Sequence, residues 1–232
     1  MTIVSENIAE TLRRIAEAAR RAGRNPETVR LVAVSKTVDA ERAMEAVEAG
    51  VADLGESRVQ EARTKFDVIG ERARLHMIGP LQTNKAKYCP GLFWLIHSVD
   101  RLELASELSR RAVAAGTVMN ILLQVNVSGE RQKSGCRPED AAELLKAASR
   151  EPGIRVRGLM TIPPYSEDPE DARPHYGRLM EIRGELELLG VDNVSLDTIS
   201  AGMTNDFEVA VEEGATLVRV GSAIFGERVY TL

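Results

Sequence analysis

The chain has 232 residues, which is enough for one large domain or two small ones with a sizeable hydrophobic core. Its net charge is −5 with acidic and basic residues interspersed, and this balance argues against a nucleic-acid partner. With only four Phe, four Tyr and one Trp, an aromatic platform for stacking bases is not expected. No run approaches the roughly 18 apolar residues of a membrane span, so no membrane partner is expected.

The cysteines and histidines indicate neither a disulfide framework nor a metal site. Cys89 and Cys136 have no metal-type spacing, and His76, His97 and His175 form no HxxH or HExxH pattern. The sequence begins Met-Thr-Ile-Val-Ser-Glu, without the basic region and apolar core of a signal peptide. A cytoplasmic location is therefore expected, and no metal.

Helical and strand patterns alternate along the chain. A first helix is predicted from a cap at Ser5 to Gly23. Strands are then predicted at 30–35, 52–55, 74–78, 93–97, 119–127, 154–162, 194–199 and 216–220. Helices are predicted at 39–49 with Asp39 as cap, 57–69, 83–88, 100–115 with Asp100 as cap, and 169–189, and others begin at Pro138 and after Thr204.

This regular alternation predicts an α/β protein with a parallel sheet. Eight units in about 200 residues fit a single (β/α)8 TIM-type barrel, whose usual length is roughly 250 residues, with an extra N-terminal helix. A doubly wound open sheet is the alternative, and the lack of GxGxxG after the first strand argues against it. One domain over 1–232 is expected: helix and lead-in at 1–29, barrel at 30–226 and a tail at 227–232.

The stretch Leu31-Val-Ala-Val-Ser-Lys36-Thr37 reads as a buried parallel strand that ends at a lysine. Ligands of α/β folds bind at this carboxyl end of the strands. Desolvating a lysine there is costly unless it has a partner or a function. The alternative is a lysine that snorkels off the strand end into water.

Two loops with small and hydroxyl residues follow strands seven and eight, where barrels often bind phosphate. They read Ser200-Ala-Gly202-Met203-Thr204 and Gly221-Ser222. Small residues let backbone N–H groups approach an anion, and hydroxyls add donors. Ordinary small-residue turns are the alternative. Arg219 lies within strand eight, and the alternation of that strand decides whether it points into the barrel.

A phosphate site that faces a lysine at a barrel mouth suggests pyridoxal 5′-phosphate (PLP). The aldehyde of PLP needs a neutral amine, and at a pKa of about 10.4 roughly one lysine in a few thousand is neutral at pH 7. Burial and a nearby cation such as Arg219 would raise that fraction. The residue types alone leave open an aldolase-type barrel that uses Lys36 without PLP.

Eight motifs run in order over residues 30–226 and carry a family resemblance. They are the lysine strand above, Gly55-Glu-Ser-Arg-Val-Gln60-Glu61, His76-Met-Ile-Gly-Pro-Leu-Gln-Thr-Asn-Lys85, His97-Ser-Val-Asp100-Arg101, Lys133-Ser-Gly135, Arg157-Gly-Leu-Met160, Ser200-Ala-Gly-Met-Thr204-Asn-Asp206 and Val218-Arg-Val-Gly-Ser-Ala-Ile-Phe-Gly226. With them the chain resembles the pyridoxal-phosphate homeostasis proteins, which are similar to the N-terminal barrel domain of alanine racemase.

The resemblance implies a PLP-binding barrel in which Lys36 is the Schiff-base lysine. It implies that Arg219 lies against the pyridine nitrogen. The implied contacts of the phosphate are Ser200, Gly202, Met203, Thr204, Gly221 and Ser222.

Two departures from the family pattern affect this site. Ser57 stands where the family usually has Asn, so the cofactor contact implied there changes from an amide to a hydroxyl. Ala201 and Thr204 replace a usual Met and Ser; the hydroxyl is kept, and phosphate binding is expected to survive.

The resemblance further implies a role in PLP homeostasis and in the balance of amino and keto acids, without catalytic turnover. PLP-requiring apo-enzymes are candidate recipients, and a monomer is expected. The alternative is a PLP-dependent amino-acid racemase, which needs acid–base groups on both faces of the cofactor. Only six residues follow Gly226, too few for a second domain, so Tyr165 or Tyr230 would have to supply the second group.

Other polar residues receive weaker assignments. His76 and His97 are predicted to be hydrogen-bonded residues of the barrel wall rather than catalysts. Gln82, Asn84 and Lys85 begin a helix at the mouth, where they cap it or meet solvent. Lys133 is predicted to be a surface lysine, with a secondary PLP contact as the alternative that the resemblance raises. The loop Pro163-Pro164-Tyr165 either covers the mouth or is a plain connector.

Overall fold

The computed structural model describes residues 2–130 and 132–226, so the predicted tail at 227–232 lies outside the described residues. Eight parallel strands close into a barrel in which each strand pairs with its neighbours in chain order, and β8 pairs with β1. The strands are β1 (Arg30–Val34), β2 (Asp53–Glu56), β3 (Arg74–Met77), β4 (Leu95–Val99), β5 (Met119–Gln124), β6 (Ile154–Met160), β7 (Val194–Ser200) and β8 (Leu217–Val220). The predicted (β/α)8 barrel is confirmed.

Helices surround this barrel. They are α1 (Ile3–Arg21), α2 (Ala40–Glu48), α3 (Val59–Ile69), α4 (Leu102–Ala114), α5 (Ala141–Ala148), α6 (Arg173–Glu187), α7 (Phe207–Glu212) and α8 (Ser222–Phe225). The connection between β3 and β4 contains only a 3₁₀ helix, Thr83–Tyr88, in place of an α-helix. No helix among the described residues is long and apolar enough to cross a bilayer.

The extra helix α1 is explained by the shortness of α8, which is a single turn after β8. α1 packs beside α7 and α8 and covers the barrel where they leave its outer face open. The Asn7 side chain donates to the Ile224 carbonyl at 3.0 Å, and Arg14 pairs with Glu208 of α7 at 2.6 Å. The predicted cap of α1 is wrong by three residues: Thr2 is the N-cap, and its hydroxyl accepts the N–H of Ser5.

The start of β4 and the cap of α4 also differ from the prediction. β4 begins at Leu95 rather than at residue 93, although the Trp94 N–H already donates to the Leu75 carbonyl of β3 at 2.8 Å. Asp100 does not cap α4. Its carboxylate instead accepts from the side chain of Arg101 at 2.7 Å and from the N–H of Gly135 at 3.4 Å. By contrast, Asp39 caps α2 as predicted and accepts the N–H of Arg42 at 2.7 Å.

Strand alternation divides the interior into an outer apolar core and an inner, mixed one. The larger cluster fills the space between the barrel and the helices. Inside the barrel lies a small apolar layer of Val32, Leu95, Leu122, Met160 and Leu217. Polar side chains also face inward; Asp53, His76, His97, Ser200 and Arg219 are all buried. The barrel interior therefore carries charge between the two ends of its strands.

Candidate functional site

A cavity of about 810 Å³ opens at the carboxyl ends of the strands. Seven of the nine predicted site residues line it: Lys36, Ser57, Met203, Thr204, Arg219, Gly221 and Ser222. Ser200 and Gly202 are not in this lining. The structure thus brings together the lysine, the arginine and both hydroxyl loops, because β7, β8, β1 and β2 are consecutive around the barrel.

Lys36 follows β1 and is partly buried at the edge of the cavity. The next residue, Thr37, has a φ of +66°, a left-handed conformation that is strained for a β-branched side chain. Two bonds hold it there: its N–H donates to Glu61 Oε2 at 3.0 Å, and its hydroxyl donates to the Lys36 carbonyl at 2.5 Å. Strain of this kind concentrates at functional sites, and here it sets the direction of the chain just after the lysine.

A buried polar cluster lies behind Lys36. Glu56 Oε1 accepts from the Ser35 hydroxyl at 2.6 Å and from Lys65 Nζ at 2.5 Å, and Lys65 also donates to the Ser35 carbonyl. Burial raises the pKa of Glu56, although the charge of Lys65 opposes the shift. The cluster ties the end of β1 to β2 and α3, so the backbone that carries Lys36 is fixed from behind.

The two predicted phosphate loops meet at the cavity. The Ser222 hydroxyl donates to the Thr204 hydroxyl at 3.2 Å. Gly202 has a φ of +89°, and a Cβ there would lie 2.7 Å from Ala210 Cβ, so this turn requires glycine. Although Gly202 is not in the cavity lining, it makes the turn that brings Thr204 to the cavity.

One predicted donor of this turn already has an acceptor in the protein. The N–H of Met203 donates to Asp206 Oδ1 at 2.6 Å, and Asp206 is buried at the cavity. A carboxylate therefore lies beside the place predicted for a phosphate. Anion binding has to rely on the hydroxyls of Thr204 and Ser222, on other N–H groups of the two loops and on the nearby cations.

Arg219 reaches the cavity from inside the barrel and is held by two hydrogen bonds. Its Nη1 donates to Ser200 Oγ at 2.5 Å and its Nη2 to the Thr161 carbonyl at 2.9 Å. Burial lowers the pKa of Arg219 from its ordinary value, yet a guanidinium stays charged at neutral pH. Among the described residues, these bonds engage two of the five N–H groups that a guanidinium carries.

Ser200 is therefore placed differently from the other predicted phosphate contacts. It is fully buried as the last residue of β7, where alternation turns its side chain into the barrel. Its hydroxyl bonds to Arg219 and to His97 Nδ1, the latter at 2.8 Å. The hydroxyl supports the arginine from behind the cavity and is not part of the cavity lining.

The remaining predicted residues fall into two groups. Ser57 lines the cavity and packs closely against Gly79. A Cβ on Gly79 would lie 2.6 Å from the Ser57 carbonyl oxygen. Tyr165 also lines the cavity and is 83% exposed, which places the proline-rich loop at the mouth. Gln82, Asn84, Lys85 and Lys133 are not in the lining, and Tyr230 lies outside the described residues. Lys133 is less exposed than predicted, and its Nζ lies 3.4 Å from Glu130.

The hydrogen bond between the two histidines was not predicted from the sequence. Both are buried and hydrogen-bonded, as predicted, but His76 Nδ1 lies 2.9 Å from His97 Nε2 and His76 Nε2 lies 2.8 Å from Asp53 Oδ1. The available signal was positional: each histidine is the third residue of its strand, and the two strands are neighbours.

The opposite end of the barrel is closed by charged and aromatic side chains. Asp53 accepts from Arg30 and Arg74, each at 2.8 Å. Both guanidinium groups lie over the ring of Trp94, at 4.9 and 4.8 Å from its centroid. Burial alone would raise the pKa of Asp53, but the bond from His76 and the charge of Arg30 lower it to about 2.

The described residues contain no cluster of His, Cys, Asp and Glu that could hold a metal ion. Both cysteines are buried thiols, and burial raises the pKa of each to about 12. Neither is suited to act as a thiolate nucleophile at neutral pH. Lys36 and Arg219 therefore dominate the chemistry of the cavity.

The structure is a closed parallel barrel with a lysine after β1 and loops with hydroxyl side chains after β7 and β8. Comparison with known families identifies the class of protein that has this arrangement. The family model described as "Alanine racemase, N-terminal domain" matches residues 3–229. A pyridoxal phosphate homeostasis protein of Aquifex aeolicus is 46% identical over 226 residues, covering 97% of this chain and 98% of that protein. The chain belongs to the family of pyridoxal phosphate homeostasis proteins.

Solved structures support the same assignment. PipY of Synechococcus elongatus, determined with PLP bound, superposes with a TM-score of 0.80 at 35% identity, over 91% of this chain and all of PipY. Alanine racemase of Clostridium difficile superposes with a TM-score of 0.75 at 15% identity, over 96% of this chain but 57% of the racemase. The second likeness shows a shared fold and goes no further.

Proposed function

We propose that this chain binds PLP at the mouth of the barrel and acts in PLP homeostasis. The observation that carries the proposal is one cavity lined by a lysine, a buried arginine and the hydroxyl pair Thr204–Ser222. PLP combines an aldehyde, a phosphate and a ring nitrogen, and each of these finds a matching group here. The relatives named above carry the corresponding function in their names, and PipY was solved with PLP.

The phosphate is proposed to bind where the loops after β7 and β8 meet. The hydroxyls of Thr204 and Ser222 can both turn toward an anion, since their own contact is a single bond of 3.2 Å. Gly221 also lines the cavity, directly before Ser222. Charge-assisted bonds of this kind are roughly twice as strong as neutral ones, so the phosphate anchors the cofactor.

Lys36 is proposed to supply the amine that condenses with the aldehyde of PLP, forming a C=N bond and releasing water. When bound, the cofactor supplies an electron sink for chemistry on amino acids. The Arg219 guanidinium can donate a hydrogen bond to the ring nitrogen but cannot give up a proton to it. An unprotonated ring nitrogen makes that sink weaker, which suits a protein that holds PLP rather than one that turns over amino acids.

We propose that the chain has no efficient racemase activity. Racemisation needs a second acid–base group opposite Lys36, and the one tyrosine among the described cavity residues, Tyr165, is 83% exposed. Turnover of L- and D-alanine and of L- and D-serine with saturating PLP tests this directly. Rates of about 1–1000 per second that Lys36→Ala abolishes would establish an enzyme instead.

A titration of the apo-protein with PLP and with pyridoxal tests the binding site. The double substitution Thr204→Ala and Ser222→Ala is expected to lower the affinity for PLP at least tenfold more than the affinity for pyridoxal, because only PLP carries the phosphate. Thr117→Ala, an exposed threonine between α4 and β5, serves as the control and leaves both affinities unchanged. Equal weakening of both ligands would place the phosphate elsewhere.

Delivery of PLP to apo-enzymes is the further step of the proposed role. The holo-protein is incubated with a PLP-requiring apo-enzyme, and reactivation is compared with that by an equal concentration of free PLP. Faster reactivation in the presence of a scavenger of free PLP indicates direct transfer, whereas complete suppression by the scavenger indicates release into solution. Light scattering during gel filtration tests the accompanying proposal that the chain is a monomer.

A further inference from the structure

A chain of buried hydrogen bonds crosses the barrel interior from one end to the other. It runs from Asp53 to His76 at 2.8 Å, to His97 at 2.9 Å, to Ser200 at 2.8 Å and to Arg219 at 2.5 Å. All five residues are at most 3% exposed. The chain therefore joins the closed N-terminal end of the barrel to the residue that lines the cavity.

The donors and acceptors of this chain can be assigned in one direction. Arginine only donates, so Ser200 Oγ accepts from Arg219. A carboxylate only accepts, so with both histidines neutral the other bonds run toward Asp53, and the Ser200 hydroxyl donates to His97 Nδ1. A neutral His97 then carries its proton on Nε2 and donates it to His76 Nδ1. His76 in turn donates from Nε2 to Asp53, which accepts as a carboxylate.

The electrostatic surroundings support two neutral histidines. Burial lowers the pKa of His76, although Asp53 opposes the shift. Burial also lowers the pKa of His97 well below its ordinary value, and the charge of Arg219 adds to the effect. A neutral imidazole can relay a hydrogen bond in only one direction at a time, so the positive Arg219 at one end and the negative Asp53 at the other set that direction.

We propose that Ser200 and His97 are positioning residues of the PLP site and that they fix the Arg219 guanidinium for a contact with the ring nitrogen. The proposal rests on the proposed function and extends it to residues that line no part of the cavity. The Thr161 carbonyl holds Nη2 while Ser200 holds Nη1, and a planar guanidinium fixed at two nitrogens has its plane fixed. Fixing this plane before binding removes a conformational cost from the association.

The direction of the hydrogen bonds between Arg219 and Asp53 can be tested on the apo-protein, independently of PLP. The protein has three histidines, so ¹⁵N-labelled imidazole spectra are simple. His175 takes no part in the chain of hydrogen bonds and is the internal reference. We expect His76 and His97 to be neutral, with the proton on Nε2 and slow exchange with solvent. A proton on Nδ1 of His97, or a charged His76 at neutral pH, would overturn the assigned direction.

The link to the cofactor is tested by variants with two ligands. Ser200→Ala and His97→Leu are each expected to lower the affinity for PLP and for pyridoxal equally, by about tenfold, because the lost contact is at the ring that both ligands share. His97→Asn keeps an acceptor near the Nδ1 position and is expected to restore most of the affinity. Ser98→Ala is the control: Ser98 is buried beside His97, and its hydroxyl has no partner among the described residues.

The outcomes separate this proposal from the proposed function. If the unaltered protein binds no PLP, the proposed function fails, while the imidazole spectra still decide the direction of the chain. If PLP binds and the Ser200→Ala variant has the same affinities for PLP and pyridoxal as the Ser98→Ala variant, the proposed positioning role is wrong. If Ser200→Ala weakens PLP alone and leaves pyridoxal unchanged, Ser200 is a phosphate contact, as the resemblance implied, and the positioning proposal is again wrong. Urea midpoints of the variants show whether each one is folded.

Discussion

The two ends of the barrel are made by the same eight strands, yet their charges are used differently. At the N-terminal end, Asp53 is paired with Arg30 and Arg74, and both guanidinium groups lie over the ring of Trp94. At the carboxyl end, Lys36 and Arg219 line a cavity of about 810 Å³. The paired charges at the N-terminal end stabilise the fold, whereas the two cations at the carboxyl end face a space that a ligand can occupy. Substitutions at the two ends should therefore change different quantities.

The largest effect is expected from Asp53→Asn at the closed end. Removing this carboxylate leaves Arg30 and Arg74 without their shared partner and should lower the free energy of unfolding by about 3 kcal/mol. PLP affinity should change less than threefold, because an amide oxygen can still accept from His76. Urea unfolding and a PLP titration measure the two quantities.

Asp197→Asn is the matched control for this variant. Asp197 is exposed on β7, so its substitution should alter stability by less than about 0.5 kcal/mol. A loss of PLP affinity with unchanged stability in Asp53→Asn would reverse the division between the two ends.

Acid should remove the same contribution in the unaltered protein. The pKa of Asp53 is lowered from 3.8 to about 2, so its stabilisation is complete above about pH 4 and disappears as the pH falls toward 2. A shift of that size corresponds to about 2 kcal/mol. The difference in unfolding free energy between the unaltered protein and Asp53→Asn should shrink by this amount between pH 5 and pH 2. A difference that stays constant over this range would contradict the lowered pKa.

At the open end, Gly202→Ala tests the phosphate turn. The added Cβ would lie 2.7 Å from Ala210 Cβ in a left-handed turn, and we expect about 2 kcal/mol of destabilisation together with weaker PLP binding. Gly184→Ala within α6 is the opposite control. Nothing lies within 4 Å of its added Cβ, so a helical alanine there should stabilise by up to about 1 kcal/mol. Equal effects of the two substitutions would show that the turn has no special requirement for glycine.

The smallest effect is expected from Asp206→Asn. The amide oxygen can still accept from the Met203 N–H, while the negative charge beside the proposed phosphate site is removed. PLP should bind about threefold to tenfold more tightly, because the repulsion of a phosphate dianion is lost. Pyridoxal, which lacks the phosphate, is the control ligand. Equal gains for both ligands would mean that the effect comes from the shape of the turn.

The architecture was predictable because each strand is a short apolar run followed by a helical or turn pattern. The errors arose from local competition. Asp100 reads as a cap, but its carboxylate accepts from Arg101 and from the N–H of Gly135, which lies on a distant loop. Such partners are far from visible in a linear pattern, since tertiary contacts override local preference.

The cavity was predictable in a similar way, because strand ends of a barrel converge at one face. Lys36, Thr204 and Ser222 needed only that rule and their position after strands. Ser200 did not follow it, since the last residue of β7 faces inward and the turn begins one residue later. The chain from Asp53 to Arg219 depends on the register between strands, which the sequence does not display.

The most direct test of the account is to find the lysine that holds PLP. The holo-protein is reduced with borohydride, digested and mapped by mass spectrometry. The account predicts the pyridoxyl group on Lys36, at one equivalent per chain, and no covalent label above background in Lys36→Ala. Lys146→Ala, which removes an exposed lysine of α5, should label as the unaltered protein does. A label found on Lys133, Lys85 or Lys65 instead, with Lys36 unmodified, would contradict the account.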